Sequence, residues 1–249
     1  MSVDLGSLPG MTRIGTPSAA LLCVALLATG CGDSSSGKAK DVTPTKATGT
    51  TAAGAINLKA ADLPSTWKSE PADNSDNAPD ASDKKLATCL GLPTTDTNDV
   101  VDLNSDGFST GQPPTITQVN SEVEVVASLD QAKRLATAFS SDKSEGCFKT
   151  MILEEAKSEG GGDPGIKYGT PTVTKKTVPS GVDNGFAFDF TVPITAQGIS
   201  VKADFSIVGF YVKHTGVTLQ TTTLGTSASD YDQAKLLSTL VSRAKASAV

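Results

Sequence analysis

One histidine, His214, and one tryptophan, Trp67, are all of their kind in this 249-residue chain, and aromatic residues make up only 5% of it. So little histidine removes most imidazole-based catalysis and most zinc sites. Positive charge is also short: 21 Lys and Arg stand against 27 Asp and Glu, a net charge of −6. Such a surface repels phosphate backbones and argues against nucleic acid as a partner. No segment recurs at a spacing of roughly 20–50 residues, which argues against a solenoid. No G-x-S-x-G elbow supplies a nucleophile for His214, and a Cys-His enzyme would have to give up a disulfide. His214 is expected as a surface turn residue. Gly160-Gly161-Gly162 follows a helical stretch and does not open one, so it is no phosphate cradle.

What is present begins with an address. Arg13 precedes an uncharged run, Ile14 to Ala28, which contains Leu21-Leu22-Cys23-Val24-Ala25-Leu26-Leu27. A basic residue, a short apolar run and then small residues form the layout of a secretory signal. The run is too short and too interrupted to span a bilayer. It ends in Leu27-Ala28-Thr29-Gly30-Cys31, which looks like a bacterial lipobox with Cys31 as the lipidated residue. Leu22 before Cys23 is too bulky for the cleavage pocket, which favours Cys31. Asp4 and the absence of a basic residue before Met11 suit translation from Met11 better than from Met1. With two or three acyl chains the anchor would be stable. Residues 1–30 are therefore read as a lipoprotein signal peptide, and the protein as membrane-anchored on the extracytoplasmic face.

Residues 31–55 are expected to form a flexible tether. They hold no aromatic residue and a single branched aliphatic, Val42, too little to offset the ordering entropy of a packed segment. A coil of that length reaches about 27 Å r.m.s.. No aromatic residue precedes Trp67, so residues 56–249 are expected as one extracytoplasmic domain, ample for one core. Two cysteines remain there, Cys89 and Cys147. An even count in an exported chain points to a disulfide, worth about 4 kcal/mol on the chain-entropy model.

Periodicity gives the elements. Asp83 to Gly91 reads as a short helix. Thr115 to Ser128 alternates, with Val119, Val123, Val125 and Ala127 on one face and Gln118, Asn120, Glu122 and Glu124 on the other. Helices follow from a cap at Asp130 and from Ser144 to Ser158, and Pro171 to Val178 reads as an edge strand. Strands then run over 186–194, 201–207 and 217–222 as an antiparallel meander, and a last helix follows a cap at Ser229. After Ile207 the apolar set changes phase. A bulge at Val208-Gly209 would keep Phe210 and Val212 on the side of Phe205. Without it, Val208, Phe210 and Val212 would line the polar face as a partner site. The bulge is the expected arrangement. The fold class is α+β: an antiparallel sheet packed on one face by helices, with a polar second face that could form a shallow concave surface for a ligand.

Leu58-Lys59-Ala60-Ala61-Asp62-Leu63-Pro64-Ser65-Thr66-Trp67, followed by a cysteine-bearing helix, the strand 115–128 and a helix carrying Cys147, carries a resemblance. The layout resembles lipid-anchored or secreted actinobacterial domains, of the PknH extracellular sensor-like type and the LpqN type. The resemblance spans residues 56–246 and is diffuse. It implies a sheet packed by helices around a groove for an unidentified ligand, and it transfers no catalytic residue.

Asp102-Leu103-Asn104-Ser105-Asp106-Gly107 matches the first half of a calcium loop, but Pro113 stands where the bidentate Glu belongs. A polar turn is expected there, and neither metal nor cofactor. The run Asp73, Asp76, Asp80, Asp83 reads as a solvated loop, with a carboxylate pair for glycoside cleavage as the other reading. Trp67 is read as a buried anchor or as a ligand contact. The function expected is a lipoprotein whose domain binds a small molecule or a cell-envelope partner without catalysis. The alternatives are an envelope hydrolase using carboxylates and a purely structural envelope protein. Convergent carboxylates with shifted titration would favour the hydrolase, an apolar groove near Trp67 ligand binding, and a flat sheet face the structural role.

Overall fold

The computed structural model describes residues 42–74, 81–112, 115–160, 166–182, 184–196 and 199–249. Cys31, expected as the lipidated residue, the expected signal peptide and both candidate start residues lie outside them. Among the described residues nine strands form one antiparallel sheet. They are β1 (Lys68–Glu70), β2 (Val101–Asn104), β3 (Gly107–Gln112), β4 (Thr115–Val125), β5 (Ile166–Tyr168), β6 (Thr172–Lys175), β7 (Gly185–Ala196), β8 (Ile199–Val212) and β9 (Thr215–Leu224). The order is β1-β3-β4-β9-β8-β7-β5; β2 also pairs with β4, and β6 with β7. The expected meander is β7-β8-β9, and the expected strand over 115–128 is β4. The α+β class with an antiparallel sheet is the observed one.

The helices are α1 (Lys46–Ile56), α2 (Ala81–Leu90), α3 (Leu129–Ser140), α4 (Lys143–Gly160) and α5 (Gln233–Ser247). Here the expectation of a single covered face is corrected. Val119, Val123, Val217, Leu219, Val208 and Phe210 pack beneath α1 and α5, against Ala53, Ile56, Leu237 and Leu240. On the opposite face Phe186, Phe188 and Phe190 pack beneath α3 and α4, against Leu135, Ala136 and Phe148. The apolar residues of β8 therefore serve two cores. This also removes the expected bulge. β8 pairs residue for residue with β7 from Gly185↔Phe210 to Ala196↔Ile199, and with β9 from Ala203↔Leu224 to Val212↔Thr215. No extra residue is accommodated, and Phe205 and Phe210 point to opposite faces. The phase change after Ile207 marks where the burden of packing passes between cores. Val208 and Phe210 are covered by the molecule's own helices and offer no partner site.

The tether boundary moves as well. Residues 46–55, expected as coil, belong to α1. Thr45 caps it: the Thr48 N–H donates to Thr45 Oγ1 at 3.2 Å, and the Thr45 N–H to Thr48 Oγ1 at 3.0 Å. Ala52, Ala53 and Ile56 are buried. Small residues let this helix lie close to the sheet: a Cβ at Gly49 would stand 2.8 Å from Val101 Cγ2. Composition counts bulk and so overlooks a helix that packs by close approach.

Three local readings change. Ser128, not Asp130, caps α3, its side chain accepting from the Gln131 N–H at 3.1 Å. Asp232, not Ser229, caps α5, accepting from the Lys235 N–H at 3.0 Å. His214 is buried in the two-residue turn between β8 and β9, because its N–H donates to the Val249 carbonyl at 2.9 Å and the C-terminal segment covers it. Among the described residues no helix is long and apolar enough to cross a membrane. Cys89 and Cys147 are joined, tying α2 to α4.

Candidate functional site

The face of β4 that the alternation marks as polar is not simply wetted. Between it and helices α2 and α3 lies a cleft of about 510 Å³, within the span of roughly 300–1,000 Å³ typical of small-molecule sites. Its floor follows from register. Across β2, β4, β9 and β8 runs the row Asp102–Glu124–Gly216–Tyr211, and beside it Asn104–Glu122–Thr218. Side chains at alternate positions share a face, so Glu122 and Glu124 point the same way. Tyr211 Oη donates to Glu124 Oε1, and Gln220 Nε2 donates to Glu122 Oε2 at 3.1 Å.

Asp99 reaches the cleft from the segment between α2 and β2, which α3 holds in place. Gln131 Nε2 donates to the carbonyls of Asp96 at 3.2 Å and Asn98 at 3.4 Å. Arg134 forks onto the buried Asp96 carboxylate at 2.7 and 2.8 Å. Asp73 and Asp83 add to the rim. The facing wall is apolar, built by Leu86, Leu90, Leu135, Phe139, Phe148, Phe186 and Ile207.

Crowded carboxylates at the edge of a low-dielectric wall cannot all ionise together. Burial, then repulsion from Glu124, Asp102, Glu122 and Asp83, drives Asp99 far above the usual carboxylate range. Burial, then Asp102, Glu124 and Asp83, pushes Glu122 up to about 8. Glu124 also rises through burial, although the Tyr211 bond pulls it back. Asp102 is raised by burial and by Asp83. The Tyr211 hydroxyl is driven well above its ordinary value by burial and by Glu124, so it stays a donor. Chemically, this is a site that can hold protons, accept hydrogen bonds or neutralise a cation.

The other candidate residues fall elsewhere. Trp67 belongs to the core beneath α1 and α5, on the face opposite the cleft. Its Nε1 donates to Asp230 Oδ2 at 3.3 Å, and its ring lies 6.1 Å from that of Tyr231. It anchors the N-terminal segment and does not line the cleft. The calcium-like run is drawn out along the sheet: Asp102 and Asn104 lie in β2, and Asp106 accepts from Ser69 Oγ at 2.9 Å. Pairing with β4 holds these oxygens apart along a strand, which no calcium loop allows. Among the described residues no three His, Cys, Asp or Glu are arranged to hold a metal ion. Of the acidic run, Asp73 and Asp83 reach the rim, while Asp76 and Asp80 lie outside the described residues. Asp99 carried no signal in the sequence. Its role depends on a tertiary pairing that brings residues 99–104 alongside 122–125.

No family model matches the chain, and no curated protein matches it. Solved structures similar to it include the extracellular domain of PknH from Mycobacterium tuberculosis, 11% identical, covering 78% of this chain and 92% of that one, with a TM-score of 0.34. Another is LpqN from Mycobacterium tuberculosis, a protein involved in cell envelope biogenesis. It is 12% identical and covers 74% of this chain and 76% of that one, with a TM-score of 0.29. These are the two types the sequence resembles, and the likeness is as diffuse in structure as in sequence.

Proposed function

We propose that this is a lipid-anchored extracytoplasmic protein, attached to the membrane through Cys31, whose domain binds a small molecule in the cleft between β4 and helices α2 and α3. The observation that carries the reading is the convergence of Asp99, Asp102, Glu122 and Glu124 opposite a continuous apolar wall. A sheet face that served only as scaffold would not place Asp102 directly opposite Glu124, since like charges facing across a ladder cost stability. The disulfide between Cys89 and Cys147 suits an oxidising compartment. Mass spectrometry of small molecules that co-purify after mild extraction from membranes tests the binding reading. A compound lost on Glu122→Gln supports it, and a consistently empty extract overturns it. Metabolic labelling with a fatty acid tests the anchor: label should vanish in Cys31→Ala.

One observation favours the second reading, an envelope hydrolase. Glu122 keeps a proton near neutral pH, as a general acid must. Acid–base pairs, however, work because their surroundings push two titrations apart. Here Asp99, Asp102, Glu122 and Glu124 are all driven the same way. Binding is therefore the better reading. Turnover of envelope polysaccharides that disappears in Glu122→Gln would reverse the choice.

A further inference from the structure

The ligand of the cleft can be specified further, on the reading that the cleft is a binding site. Elsewhere the molecule treats enclosed carboxylates in one way. Asp62 receives both guanidinium nitrogens of Arg243 at 2.7 Å, and Asp96 receives Arg134 at 2.7 and 2.8 Å. At Asp99, Glu122 and Glu124 that pattern stops. No Lys or Arg is among the described residues that line it. Asp99 makes no hydrogen bond or ion pair there, and its Oδ1 is fully enclosed. Glu122 and Glu124 are each satisfied at one oxygen only, by the neutral groups Gln220 and Tyr211.

A buried carboxylate without a partner is costly, and the cost falls when a cation arrives from outside. A bare metal ion fits poorly, since no three of the described carboxylates are arranged to hold one and the facing wall is apolar. An anion would meet four acidic side chains. We propose that the cleft takes an organic cation, an ammonium head carried on an apolar body. The head sits among Asp99, Asp102, Glu122 and Glu124, and the body lies against Leu86, Leu135, Phe139 and Phe186. The wall and the carboxylates then each have a use, and the ligand's ammonium does for this cluster what a guanidinium does for Asp62 and Asp96.

Calorimetry and thermal melting of the full-length protein with octylamine, octanol, octanoate and methylamine test this. Octylamine is expected to bind one to one and raise Tm, with the other three weaker by about tenfold or more. The double variant Asp99→Asn, Glu122→Gln should lose that preference, and Glu122→Gln alone should narrow it. Both relieve repulsion, so the fold is expected to persist, with near-UV circular dichroism as the check. Octanol binding as tightly as octylamine would overturn the proposal, because the apolar wall alone would then suffice. Methylamine matching octylamine would overturn it as a mere acidic surface. If octylamine fails while a non-cationic compound co-purifies, the ligand class is wrong and the binding reading stands. If no probe binds and nothing co-purifies, both fall.

Discussion

Tyr211 on β8 donates its hydroxyl to Glu124 on β4 across a strand that lies between them, and the residue of β9 beneath that bond is Gly216. The bond spans two strand spacings only because nothing rises from the middle strand. A Cβ at Gly216 would stand 2.7 Å from Glu124 Cγ and 2.8 Å from Tyr211 Cε1. The glycine is therefore set by a close approach of side chains. It fixes where the Glu124 carboxyl sits in the cleft.

Gly216→Ala should accordingly displace Glu124 and weaken the fold. Overpacking of this kind costs about 1–3 kcal/mol. Urea unfolding should show a lowered midpoint with an unchanged slope. The same variant should bind any cleft ligand more weakly, whereas a glycine needed only for backbone freedom would leave binding unaltered.

The cleft also dictates how stability varies with pH. Asp99, Asp102, Glu122 and Glu124 all titrate higher in the folded chain than in the unfolded one, with Glu122 at about 8. Above the unfolded carboxylate range the native state holds protons that the unfolded chain has released, so stability falls as pH rises. The decline should run from about pH 4 to about pH 9, as Glu122 ionises in the fold at about 8 and Asp99 at about 9. Tyr211 faces the same groups and leaves the sign unchanged, since it stays protonated throughout. Asp62 acts in the opposite sense. Although burial opposes it, hydrogen bonds from Arg243 and the Lys59 N–H hold its carboxyl low, so its contribution is lost only in acid. Urea midpoints should therefore be higher at pH 5 than at pH 8.5, and Glu122→Gln should flatten the difference. Equal midpoints for the native chain would contradict the crowding described here.

Much of this architecture can be read from alternation. The apolar and polar faces of β4, the β7-β8-β9 meander and the pairing of Cys89 with Cys147 all follow from local pattern or cysteine count. What eluded the sequence depended on partners distant in the chain. The phase change in β8 looks like a bulge until helices are known to cover both faces. Glu122 and Glu124 look solvated until α2 and α3 are placed above them. Asp99 has no local signature at all. Trp67 drew attention by rarity, which says nothing about whether a ring faces a core or a ligand.

The disulfide ties the outer wall of the cleft, α2, to α4 across 58 residues of sequence. Replacing Cys89 and Cys147 by alanine should lower stability by about 2–4 kcal/mol, the usual range for a disulfide. Reduction of the native protein should give the same loss, read by denaturant unfolding with and without reductant. A double variant as stable as the native protein would mean that α2 is held by packing alone.

The last expectation concerns the boundary of the domain. Ile56 is fully enclosed, and with Ala53 it packs against the same core as Val123 and Leu240. Were residues 46–56 only a tether, Ile56→Ala would be silent. Packed as observed, the substitution leaves a cavity and should cost about 2–5 kcal/mol. Removing residues 1–43 should leave the unfolding midpoint unchanged, because it keeps the buried Pro44 and the Thr45 cap. Removing residues 1–56 should lower the midpoint at least as much as Ile56→Ala does, since α1 then uncovers Val101 and Val125. Equal midpoints for the two truncations would return α1 to the tether.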